Sequence, residues 1–176
     1  MKQNRISLTS FAMQAGLGLG GFWVFKYIFI IAAAQYPALA YINTFLSFLT
    51  PLLLLFYFIK FKNETDNSKL AYWKGVRLGI LIFLFASFIE SVIVIAHIMW
   101  IDPTFISIIN QQKLDLAQSL GFSETLMEEL KKQTSFSPFV FVINQILNNV
   151  FIGFILSLII TPVASKIDIN IRNIDK

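Results

Sequence analysis

The chain has 176 residues, 56% of them apolar and only 14% charged, with a mean hydropathy of +0.70; soluble domains carry about 25% charged residues, so a water-soluble globular protein is excluded. The net charge of +4 comes from basic residues gathered at the ends of apolar stretches, which assigns them to orientation and headgroup contact and not to nucleic acid. With no cysteine in the chain, disulfide frameworks and thiolate metal or redox sites are excluded as well.

Four apolar stretches, residues 11–36, 38–61, 76–101 and 139–164, are each long enough to cross a bilayer as a helix. The first opens at Ser7-Leu8-Thr9-Ser10, whose hydroxyls suit a helix cap, and Lys26 interrupts a run already too long for a cleaved signal core. An uncharged turn, Gln35-Tyr36-Pro37, makes spans one and two antiparallel neighbours. Pro51 lacks an amide proton for the carbonyl of Ser47, which predicts a kink in span two. A short polar loop with Lys62 and Lys69 leads to Tyr72 and Trp73, residues suited to the membrane interface before span three.

Between spans three and four, residues 102–137 form a segment richer in acid than in lysine. Phe105, Ile106, Ile109, Leu116 and Leu120 recur there at helical spacing, Gly121 ends a helix, and a second helix starts at Ser123 or Thr125, with Thr125 and Glu128 spaced as a capping box. The reading is an all-α, single-domain integral membrane four-helix bundle with an amphipathic helical hairpin on the outer side. Lys2, Arg5, Lys60, Lys62, Lys69, Lys74, Arg77, Lys166, Arg172 and Lys176 place both termini and the loop between spans two and three in the cytoplasm.

The spans carry more polar chemistry than lipid contact requires. Lys26 and Glu90 lie at matching depth in parallel spans, and an unpaired ion there costs at least about 2.5–3.5 kcal/mol, so the two are expected to pair. His97 follows Glu90 by two turns on nearly the same face, where it would continue a proton relay. Asn43, Ser47 and Thr50 share a face of span two, and Asn144, Gln145, Asn148 and Asn149 form a broad carboxamide face on span four. Two readings stand side by side: hydrogen bonds that glue four helices together, and a hydrated pocket for a polar solute.

Gly16 to Gly21 formally contains the dinucleotide-binding glycine pattern, but inside a membrane span it lacks the strand and helix that give the pattern its chemistry. Helix packing is the better account. Gly16 with Gly20 in the inner half of span one and Gly75 with Gly79 at the inner end of span three form small-xxx-small pairs, by which the two spans are expected to cross or a homo-oligomer to form. No activated serine, histidine cluster or intramembrane aspartate pair is present, so no catalytic residue, metal site or cofactor is expected.

The glycine-rich first span (Gly16 to Gly21), the third span with Glu90, the segment Asp102-Pro103-Thr104-Phe105, the residues Gln111-Gln112-Lys113, Ser123-Glu124 and Glu128-Glu129, and Ser137-Pro138 before the fourth span make a recognisable whole. In these features the chain resembles an uncharacterised family of bacterial, Bacteroidetes-type four-span membrane proteins catalogued as a domain of unknown function. The resemblance implies an inner-membrane location and shared architecture, and carries no catalytic residue, substrate or cofactor. Two functions follow as expectations: a structural or interaction component in contact with the lipid bilayer, whose protein partner is unknown, and a small dimeric proton- or ion-coupled carrier using Glu90 and Lys26.

Overall fold

A computed structural model of the chain describes residues 7–65, 70–133 and 137–167. Lys2, Arg5, Lys69, Arg172 and Lys176, used above for orientation, lie outside these residues. Among the described residues all regular structure is helical. In order the helices are α1 (Leu8–Ala33), α2 (Leu39–Ser47), α3 (Leu49–Glu64), α4 (Tyr72–Ala96) continued by a π-helical turn (His97–Ile101), α5 (Phe105–Ser119), α6 (Glu124–Gln133) and α7 (Pro138–Lys166). Four segments, Leu8–Ala33, Leu39–Glu64, Tyr72–Ile101 and Pro138–Lys166, are long and apolar enough to cross a membrane. The chain is a multi-pass membrane protein.

Local chemistry sets the ends. Ser7 caps α1 by accepting the amide proton of Ser10 at 3.1 Å. Ser137 accepts that of Val140 at 3.4 Å, with Pro138 in the first helical position, where a missing N–H costs nothing. Span two divides at Phe48, whose amide turns back to the carbonyl of Phe45 at 3.1 Å. The break lies three residues ahead of Pro51, as the lost bond from position 51 to the Ser47 carbonyl requires.

The described residues form two compact units, one drawn from Met1–Glu90 and Ile146–Lys176, the other from Ser91–Gln145. The first is a bundle of all four spans around Leu19, Leu54, Phe58, Leu78, Ile82, Phe83 and Ala86. Its glycines let backbones approach, in a pairing that differs from the expected one. Gly16 and Gly20 do lie on span three, where an added Cβ would meet Phe85 Cβ at 2.5 Å and Ile89 Cβ at 2.8 Å. Gly75 and Gly79 instead face Thr161 and Ser157 of span four, and Gly153 of span four faces Phe83. Each four-residue step along α4 is therefore matched by a four-residue step back along α7. Helical periodicity identifies a packing face; it does not name the neighbour that occupies it.

At the same end of the bundle as the start of α4, Lys62 is buried, and its Nζ donates to the carbonyls of Ser165 at 3.1 Å and Ile167 at 3.0 Å. It thereby satisfies carbonyls left over where α7 ends. Lys74 lies with its Nζ 5.1 Å from the Phe61 ring centre.

The second unit holds the end of span three, α5, α6 and the start of α7. The amide of Asp102 donates to the carbonyl of His97 at 2.8 Å, the five-residue closure of the π turn. The Asp102 carboxylate then accepts from Thr104, from its amide at 3.0 Å and its hydroxyl at 2.6 Å, turning the chain into α5. Helix α5 ends in a Schellman motif: Gly121 has φ 73°, Phe122 N–H donates to Ala117, and Gly121 N–H to Gln118. Helix α6 is capped by Ser123, whose hydroxyl accepts from the Leu126 amide at 3.5 Å; Thr125 lies inside the helix, so the Thr125–Glu128 capping box does not form.

Candidate intramembrane polar site

Five of the polar residues singled out in the spans, Lys26, Ser47, Thr50, Glu90 and Asn149, form cross-helix contacts in the first unit. Lys26 of α1 donates from Nζ to Ser47 Oγ of α2 at 3.2 Å, and Ser47 Oγ donates to the carbonyl of Asn43 at 2.9 Å. This brings the lysine to the end of α2, beside the break that Pro51 imposes. One helical turn back on α1, buried Trp23 donates from Nε1 to Thr50 Oγ1 of α3 at 3.3 Å, and Lys26 Nζ stands 5.8 Å from the centre of the same indole. On the other side, Asn149 Nδ2 of α7 donates to Glu90 Oε2 of α4 at 2.8 Å, and Glu90 is 6% exposed.

Lys26 and Glu90 are close enough to interact electrostatically, but each is held on a neutral partner from another helix. The expected pairing is thus an attraction across space, with Ser47 and Asn149 supplying the short contacts. Tyr27, buried on α1, is also within electrostatic range of Glu90. The Asn43 side-chain oxygen is buried and accepts no hydrogen bond.

The remaining candidates separate. Asn149 faces α4, whereas Asn148, about 100° further round α7, is exposed. Asn144 is exposed and Gln145 half-buried; both belong to the second unit. His97 also belongs there, buried with its ring centre 4.5 Å from that of Phe105, which in turn meets Phe141 at 6.4 Å.

Two participants escaped the sequence reading. Trp23 reads as one more apolar residue of a membrane span, and only the Thr50 contact reveals its indole N–H as a bridge between helices. The other is a set of buried hydroxyls, Ser87, Ser157 and Thr161, which donate back to carbonyls of Phe83, Gly153 and Ser157 in their own helices and so enter the core with their donors satisfied.

The geometry can hold helices together and can hold a charge at depth. The family model described as "Protein of unknown function (DUF4199)" matches residues 14–166, from within span one to the end of span four. No curated protein and no solved structure matches the chain.

Proposed function

Since the chain belongs to this family of proteins of unknown function, we propose a role drawn from its own geometry: a non-catalytic structural or interaction component of the membrane, with an internal polar centre that fixes how its spans meet. The observation that carries this reading is that the bonds Trp23–Thr50, Lys26–Ser47 and Asn149–Glu90 each join two different helices. Such bonds specify helix partners in a medium where apolar surface does not discriminate between them. A bacterial inner-membrane location with both termini cytoplasmic belongs to the same proposal. It draws support from Lys60, Lys62, Lys74, Arg77 and Lys166 near one end of the spans and from the uncharged turn at the other.

A second reading, a dimeric proton- or ion-coupled carrier of a polar solute, is favoured by one feature. The buried Asn43 oxygen without a donor, one contact away from Lys26 through Ser47, offers an acceptor to a polar guest. Carbodiimide labelling of Glu90 in the folded protein across pH, with Lys26→Ala in parallel, separates the two. The structural role predicts an unlabelled wild type and loss of folding in Lys26→Ala. Labelling of folded wild type that rises as pH falls would overturn it in favour of the carrier.

A further inference from the structure

The polar centre leaves the carboxamide of Asn148 unused. Asn148 is exposed, and its carboxamide makes no hydrogen bond to any described residue. It lies about ten residues into α7, a helix of 29 residues and about 43 Å, so a hydrocarbon layer about 30 Å thick centred on that helix holds Asn148 in its N-terminal half, about 8 Å below the surface. A primary amide cannot be left facing lipid tails there without loss, because nothing in the tails donates or accepts.

Asn148 does not stand alone on its face. Within the first unit, Asn148, Phe151, Ile155 and Ile159 follow one another at spacings of three and four, and all are exposed. That spacing is the seam along which two helices pack at a shallow angle, and a carboxamide in such a seam sets register and partner number. The faces built for close helix approach are already occupied: Gly16 and Gly20 by span three, Gly75, Gly79 and Gly153 within the pair of spans three and four. The glycine pairs are therefore spent inside one chain, whereas the exposed Asn148 carboxamide of α7 is not.

We propose that this seam of α7 is the self-association surface of the protein, occupied by the same seam of a second copy, with the two Asn148 carboxamides bonded to one another across a two-fold axis along the membrane normal. A carboxamide both donates and accepts, so it is its own complement. Two copies inserted in the same orientation also carry Asn148 at the same depth, which brings like residues face to face. A different protein would have to supply its own polar group at that level. The surface is separate from the Glu90 and Lys26 contacts, so this inference and the proposed function stand or fall independently.

The absence of cysteine makes the test direct. Phe151→Cys is placed in the seam and Met13→Cys on the exposed face of α1 as control; each is expressed in membranes and oxidised with copper phenanthroline. The expected result is a disulfide dimer of twice the chain mass from Phe151→Cys and little from Met13→Cys. Adding Asn148→Leu should weaken dimerisation about tenfold, the size of two interhelical carboxamide bonds, while the helical circular-dichroism signal and thermal midpoint are retained. No preferential cross-link at Phe151→Cys, a cross-link there to a different protein, or dimerisation indifferent to Asn148→Leu in a folded chain would each overturn the proposal.

Discussion

Replacing Lys62 by methionine keeps the length and packing of the side chain and removes the ammonium that closes the end of α7. Lys62 is 4% exposed, with its Nζ 3.1 Å and 3.0 Å from the carbonyls of Ser165 and Ile167. A hydrogen bond from a charged donor contributes about 1.5–3 kcal/mol, and a cation at a partly buried helix C-terminus up to about 2 kcal/mol. These are two descriptions of one interaction and do not add. Two effects reduce the loss: Ser165 and Ile167 are half-buried, so water reaches their carbonyls in the variant, and the buried ammonium no longer has to be desolvated. We expect a net loss of about 2 kcal/mol. The assay is reversible denaturation in mixed micelles followed by circular dichroism, with Lys60→Met as reference. Lys60 is exposed two residues earlier, so both variants lose the same charge near the same membrane surface. A difference between them below about 0.5 kcal/mol, the scatter of ordinary surface changes, would refute the capping role.

Gly79→Ala should destabilise by about 1–3 kcal/mol, because the new Cβ lands on the Ser157 side chain. Gly21→Ala meets nothing within 4 Å and should be neutral or gain up to about 1 kcal/mol from helix propensity in the same assay. Asp102 lies just beyond span three, where the Thr104 hydroxyl, then the Thr104 amide and nearby His97, hold its carboxyl below the ordinary aspartate range. A lowered native value means that the stabilising contribution is complete above the ordinary pKa and is lost as pH falls through the native one. Thr104→Val should shift the Asp102 titration, followed by carbon NMR of the carboxyl group, back upward; an unmoved midpoint would show that the hydroxyl is not the main cause.

Much of this architecture was legible in the residues. The four spans, the helical hairpin and the break before Pro51 follow from hydropathy, glycine placement and proline chemistry, and the span ends move by only a few residues. Hydropathy starts span four at 139 and span one at 11, whereas Ser137 and Ser7 start the helices earlier, because a capping serine extends a helix beyond its apolar stretch. What hydropathy could not supply is direction around an axis. Asn148 and Asn149 are consecutive and chemically identical, yet one bonds Glu90 and the other faces outward. Lys62 was hidden for a related reason: a basic residue at the end of a span reads as headgroup contact, and its burial depends on α7 ending beside it. The glycine pairs of spans one and three share the same four-residue spacing, and that spacing does not assign Gly75 and Gly79 to span four.

The contact between α4 and α7 carries its own protection against slippage. Its first two rungs, Gly75 with Thr161 and Gly79 with Ser157, put the small residue on α4 and the hydroxyl-bearing one on α7; the third reverses the order, with Phe83 on α4 over Gly153 on α7. The first two alone would tolerate a shift of one helical turn, since glycine would again meet serine or threonine. The third rung forbids that shift in the direction that carries Phe83 onto Ser157, where the space opened by Gly153 is missing. A single aromatic ring seated over one glycine thus acts as the detent that selects one register from a family of nearly equivalent ones.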